Sequence, residues 1–219
     1  MMSPFLVKIC GLSTSESLEW ALSAGADLVG FVYFQKSPRH LSAEAAALLA
    51  RQVKGRAKTV VLTVDATDDL LDHLMATIAP DFVQLHGRES PDRVAEVRRR
   101  VGRPVIKALG IGTAEDVATA RSYSGVADLL LFDAKPPKDS SRPGGLGVTF
   151  DWSLLEGASS PFLLSGGLDP TNVYDAVRQV RPSGVDVSSG VESAPGQKDE
   201  ARIRAFVAAA RAASEEGQR

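Results

Sequence analysis

A single cysteine, Cys10, stands in 219 residues. One thiol closes no internal disulfide and builds no multi-cysteine metal site. The chain has no apolar run near the roughly 20 residues needed to cross a bilayer. Its first residues, Met-Met-Ser-Pro-Phe, carry neither the charged nor the apolar region of a secretion signal. An excess of one charge is also missing. The net formal charge is −2, the pI is near 6.0, and the one basic run, Arg98-Arg99-Arg100, falls at the end of an expected helix. Nucleic acid and anionic membranes are poor partners for such a surface. These absences lead us to expect a cytoplasmic protein.

What is present is ordinary for a globular enzyme: 44% hydrophobic and 24% charged residues. Short runs rich in Val, Ile, Leu and Phe alternate with helical patterns. Strands are expected at residues 5–9, 28–33, 59–64, 82–85, 105–108, 128–132, 162–165 and 184–187. Most are nearly continuous in apolar residues, as parallel strands buried on both faces require. The helices carry start signals. Ser13 and Glu16 have capping-box spacing, and Gly25 closes that helix. Ser90-Pro91 and Asp169-Pro170 each set a cap residue before a proline suited to the first helical turn. Leu70, Leu71, Leu74, Met75 and Ile78 mark one helical face. Residues 199–213 form the last helix, and the sixth, at 150–155, is short. Eight strand–helix units without a linker predict an α/β fold, a single-domain (β/α)8 TIM barrel spanning residues 1–219. A repeat supports the count: Ala26-Asp27-Leu28, Pro80-Asp81-Phe82 and Ala127-Asp128-Leu129 each open an even-numbered strand, with Gly184-Val185-Asp186 a looser copy.

Barrel enzymes place their chemistry at the C-terminal ends of the strands. That restricts the candidates to Cys10, Arg39, His86, Asp133, Ser165-Gly166-Gly167 and Ser188-Ser189-Gly190. The two Gly/Ser loops follow strands seven and eight, where barrels often bind phosphate through backbone N–H groups and hydroxyls; the bland alternative is a pair of tight turns. Asp133 ends an apolar strand, and burial favours the protonated form of a carboxyl group, which suits a general acid. It is equally suited to capping its loop or pairing with Lys135. Cys10 shares a strand face with Lys8, whose ammonium would favour a thiolate, although isolated cysteines are commonly small buried hydrophobes. Arg39 suits carboxylate capture or a solvated loop. His86 could orient substrate or bond to backbone. Lys8 and Lys107 lie within strands and should be ion-paired if they face the barrel.

The segments Lys8-Ile9-Cys10-Gly11, Ser37-Pro38-Arg39, Val83-Gln84-Leu85-His86-Gly87, Phe132-Asp133, Ser165-Gly166-Gly167-Leu168 and Asp186-Val187-Ser188-Ser189-Gly190-Val191-Glu192, with Pro195-Gly196-Gln197-Lys198-Asp199 behind them, together resemble the phosphoribosylanthranilate isomerase family. The matches run in order from residue 8 to residue 199. The resemblance implies an Amadori rearrangement in tryptophan biosynthesis on a sugar-phosphate substrate, without metal or cofactor, by a monomer or homodimer. It implies Cys10 as general base, Asp133 as general acid and Arg39 at the anthranilate group. One departure is Gly144-Gly145-Leu146-Gly147-Val148, which has leucine where relatives carry a small hydroxyl residue and valine where lysine is common. Three alternatives stand beside this reading. The histidine-pathway isomerase has aspartate where this chain has Cys10. A sugar-phosphate lyase would need a Schiff-base lysine such as Lys107. A phosphometabolite-binding barrel would need neither Cys10 nor Asp133.

Overall fold

The computed structural model describes residues 5–135, 143–145, 147, 149–155 and 161–217. Eight parallel strands close into a barrel in sequence order: β1 (Leu6–Cys10), β2 (Leu28–Tyr33), β3 (Lys58–Thr63), β4 (Phe82–Leu85), β5 (Val105–Ile111), β6 (Leu129–Ala134), β7 (Phe162–Leu164) and β8 (Gly184–Val187). Closure is made by β8 against β1, in the register Lys8↔Asp186. Strands β5 and β6 run longer than their apolar runs suggest, because they pair through Gly110↔Asp133 and Ile111↔Ala134. Asp133 therefore lies on a strand rather than after one.

Seven α-helices are described around the barrel: α1 (Ser15–Ala24), α2 (Ala43–Val53), α3 (Asp68–Ile78), α4 (Pro91–Val101), α5 (Ala114–Ala120), α6 (Val173–Val180) and α7 (Glu200–Glu216). Two expected helix starts are corrected. The capping box of α1 is Thr14 with Ser17, not Ser13 with Glu16. Asp169-Pro170 does not begin α6. Asp169 instead accepts from the N–H and hydroxyl of Thr171, and the helix starts at Val173 behind Asn172. Ser90-Pro91 caps α4 as expected. Where a helix is expected at residues 150–155, after β6, the described residues hold a 3₁₀ turn, Trp152–Leu155.

Strand alternation separates the core outside the sheet from the core inside the barrel. The larger joins helix residues such as Leu18, Leu71, Val94 and Phe206 to outward-facing strand residues. The smaller contains buried strand residues alone, Leu28, Val60, Ile106, Ala108, Leu131 and Leu163, and so fills the barrel interior.

The aspartate repeat has a mechanical explanation. Asp27, Asp81 and Asp128 each precede an even-numbered strand and accept a backbone N–H from the first two residues of the preceding odd strand, from Val7 at 2.6 Å, Thr59 at 2.8 Å and Val105 at 2.8 Å. Each carboxylate also meets a cation: Arg211, Lys58 and Arg98 respectively. The barrel floor is thus stitched in strand pairs. Asp186 is no fourth copy, since it lies within β8 and pairs with Lys8.

Candidate active site

Parallel strands bring all eight C-terminal ends to one rim. There a cleft open to solvent is lined by Cys10, Arg39, His86, Asp133, Ser165, Gly166, Gly167, Ser188 and Ser189. Gly190 does not line it. A Cβ on Gly190 would lie 1.9 Å from the Leu168 carbonyl oxygen, so this glycine serves the close approach of the loops after β7 and β8.

Cys10 ends β1 and is buried against Val32 and Leu62. Opposite it in register is Gly30, where a Cβ would lie 2.9 Å from the sulfur and 3.2 Å from Lys8 Nζ. Glycine leaves the space in which thiol and ammonium meet. Lys8 is fully buried and donates to Asp186 at 2.8 Å, as expected of an inward lysine. Burial works against its charge, but Asp186 and then Cys10 outweigh it and hold Lys8 above the ordinary lysine range. Lys107 faces outward instead. It shares register with Leu85, donates to Glu89 at 2.7 Å and lies 5.8 Å from the Tyr123 ring centroid. This placement between sheet and helices removes it from substrate chemistry.

Asp133 accepts the Ala134 N–H on Oδ1 at 2.9 Å and lies 3.3 Å from His86 Nε2 through Oδ2. Lys135 turns away to Asp116. The other ring nitrogen of His86 meets Gln84 Nε2 at 3.3 Å, so the ring lies between two polar side chains. The Gly144 backbone covers this group: a Cβ there would lie 2.3 Å from Asp133 Oδ2. Leu146 and Val148, the departures in the same loop, lie outside the described residues.

Arg39 is neither solvated nor free. Its Nε and Nη2 donate to the two oxygens of Glu192, each at 2.7 Å, and its stem packs over Gly11. Glu192 also accepts from Lys198 Nζ at 2.8 Å, and Lys198 donates in turn to the Ser188 carbonyl. All three charges are buried. Burial alone would raise Glu192, yet Arg39 and Lys198 hold it below the usual carboxylate range; burial lowers Lys198 more than Glu192 restores it. With both cations charged the cluster is net positive, and the Nη1 edge of Arg39 faces Gly145 beside the cleft. In the sequence, Glu192 and Lys198 stand out only as members of the shared motifs. Arg39 and Glu192 lie 153 residues apart, a separation no spacing rule spans.

Removing the central anion should be costly. Glu192→Gln strands two buried cations, and we expect a loss of about 3–5 kcal/mol in chemical unfolding. Because the folded carboxyl group is held low, its contribution is present above about 4.5 and is lost as pH falls through the lower folded value. The gap between wild type and variant should therefore narrow below that pH. A gap that widens there would remove Glu192 from the balance.

The phosphate candidates divide. Ser165 Oγ donates to Asp186 at 3.1 Å and Ser188 Oγ to the Cys10 carbonyl at 3.1 Å, so both hydroxyl protons are engaged by protein. Ser189 Oγ has no protein partner among the described residues and lines the cleft with Gly166 (φ 87) and Gly167 (φ 64). A Cβ on Gly166 would meet the Ala134 backbone nitrogen at 2.4 Å. Among the described residues no cluster of His, Cys, Asp and Glu is placed to hold a metal ion, and no helix is long and apolar enough to cross a membrane.

The family model for N-(5'-phosphoribosyl)anthranilate isomerase matches residues 7–209, spanning almost the whole barrel and the functional rim. The chain belongs to the phosphoribosylanthranilate isomerase family. The phosphoribosylanthranilate isomerase of Bradyrhizobium diazoefficiens is 56% identical over 215 residues, covering 97% of this chain and 96% of the relative. That of Rhodopseudomonas palustris strain BisA53 is 57% identical over 211 residues, covering 95% and 97%. Among solved structures, phosphoribosylanthranilate isomerase from Thermotoga maritima superposes with a TM-score of 0.86 at 36% identity, covering 95% of this chain and 99% of that one. A phosphoribosylanthranilate isomerase in complex with reduced 1-(o-carboxyphenylamino)-1-deoxyribulose 5-phosphate gives 0.83 at 33%, with the same coverage. The family is one of isomerases in tryptophan biosynthesis.

Proposed function

We propose that this chain converts N-(5'-phosphoribosyl)anthranilate to 1-(o-carboxyphenylamino)-1-deoxyribulose 5-phosphate, with Asp133 as general acid and Cys10 as general base. The observation that carries this reading is the rim itself. Cys10 on β1 and Asp133 on β6 flank one cleft, and the Gly/Ser loops after β7 and β8 lie between them. A phosphate held by Ser189 and the Gly166-Gly167 backbone leaves the ribose between acid and base. Asp133 Oδ2 delivers a proton to the ring oxygen, the C1–O bond breaks, and the anthranilate nitrogen forms an iminium with C1. That electron sink acidifies the C2 proton, which the Cys10 thiolate removes beside the Lys8 ammonium. The enolamine then gains a proton at C1 and loses the enol proton at the C2 oxygen, giving the ketone. Each proton-transfer group is worth roughly 10²–10⁴-fold. The Arg39 Nη1 edge suits the anthranilate carboxylate, supported behind by Glu192 and Lys198. Against the histidine-pathway alternative stands Cys10 itself; against a mere binding protein stands the pairing of Cys10, at the cleft, with Lys8 buried beneath it. A monomer or homodimer in the cytoplasm fits this role; one Thermotoga maritima relative is described as dimeric.

The test is turnover of phosphoribosylanthranilate and of its dephosphorylated analogue. The phosphate positions the reacting carbons from a distance, so its loss should lower kcat/KM by roughly 10²-fold or more. Equal turnover of both would reduce the two Gly/Ser loops to turns, and no turnover of either would overturn the function.

A further inference from the structure

Gln84 has no packing reason to be an amide. Strand alternation turns it into the barrel, where its register neighbours are Leu62 on β3 and Ile106 on β5, both apolar. It is completely buried. Its Nε2 meets His86 Nδ1, while Oε1 is buried without a partner among the described residues. Turning the amide over exchanges the unpartnered oxygen for an unpartnered NH₂. Either way a buried polar atom goes unsatisfied, which costs stability and calls for a functional reason.

We propose that Gln84 is a positioning residue for proton donation by Asp133, acting through the tautomer of His86. The proposal rests on the acid reading of Asp133. A Gln84 NH₂ donating to Nδ1 makes that nitrogen an acceptor, so the single N–H of the neutral ring lies on Nε2. That nitrogen lies 3.3 Å from Asp133 Oδ2, a contact that a small turn of the ring makes a hydrogen bond, and Oδ1 already accepts from Ala134. After Asp133 releases its proton, each carboxylate oxygen then has a donor. Before release, Oδ2 accepts from His86 and aims its own O–H into the cleft. The opposite tautomer reverses this. A lone pair on Nε2 would draw the acid proton toward the ring, away from substrate, and would then face the bare carboxylate. Gln84 thus sets the direction in which Asp133 holds its proton.

The test joins kinetics to imidazole ¹⁵N spectra, with His40 and His73 assigned by substitution. In the wild type, His86 should be the Nε2–H tautomer. In Gln84→Met we expect an unchanged or raised melting temperature, kcat lowered at least tenfold with a smaller change in KM, and His86 redistributed toward Nδ1–H. Gln84→Glu, recorded at a pH where the new carboxyl group is ionised, can only accept, and so should draw a proton onto Nδ1; with the wild-type spectrum it decides the matter if Gln84→Met does not fold. A wild-type ring in the Nδ1–H form overturns the proposal. So does a wild-type kcat in Gln84→Met, or a slow Gln84→Met whose ring stays Nε2–H. Full activity in Asp133→Asn with a wild-type Nε2–H ring would place the failure in the acid reading rather than in the hold of Gln84 on His86.

Discussion

Cys10→Ala should abolish measurable turnover while leaving the cleft able to bind reduced 1-(o-carboxyphenylamino)-1-deoxyribulose 5-phosphate. The expected loss in kcat is about 10²–10⁴-fold, the range for a lost proton-transfer group. The structure separates the two halves of this result. Loss of the sulfur leaves the Cys10 backbone carbonyl in place, and that carbonyl is what Ser188 binds. Arg39, Glu192 and Lys198 touch the β1 end through Gly11 and Ser188 rather than through the thiol, so the carboxylate and phosphate ends of the site keep their supports. No other group takes over the base. Lys8 is held charged by Asp186, and an ammonium cannot accept a proton. Isothermal titration with the reduced product analogue, run beside steady-state kinetics, checks both halves. Near-normal kcat would remove the thiol from the mechanism. Loss of binding together with turnover would make Cys10 part of the scaffold instead.

What the sequence discloses about this molecule follows from the range of the interactions concerned. The strands are legible because parallel strands buried on both faces must be continuous apolar runs. Rim residues are legible because strand ends in a barrel share one face; Cys10, His86 and Asp133 all lie where a strand stops or turns polar. Helix starts are less so. Ser13, Thr14 and Ser17 are all competent caps, and local spacing does not tell which oxygen reaches which N–H. The supports of the site are hidden for a different reason. Glu192 reaches Arg39 across the closure of the barrel, and Asp186 reaches Lys8 across 178 residues. Gln84 reads as a polar interruption in an apolar strand, and its orphaned oxygen becomes visible only when the neighbours are placed. Gly190 shows a second use of a glycine beside serines: its missing side chain admits the Leu168 carbonyl, a packing role that the sequence does not display.

Asp133→Asn is expected to be nearly inactive, with kcat down by about 10²–10⁴-fold, although the side chain keeps its size. The wild-type carboxyl has two fixed neighbours: the Ala134 N–H on Oδ1 and His86 Nε2 beside Oδ2. An amide must set its oxygen on one of them and its NH₂ on the other. If the oxygen keeps Ala134, the NH₂ faces His86, which must then present a lone pair from Nε2, the tautomer Gln84 opposes. If the oxygen turns to His86, the NH₂ is pressed against the Ala134 N–H. Neither arrangement supplies a proton to the ring oxygen, because an amide is not an acid at neutral pH. Substrate should still bind, since the phosphate loops and Arg39 are untouched; KM is expected to change by much less than kcat. Single-turnover measurements with saturating enzyme isolate the chemical step from product release. A chemical step as fast as in the wild type would sink the acid assignment. A raised KM with kcat intact would reassign Asp133 to substrate orientation, leaving the protonation of the ring oxygen to solvent entering the cleft.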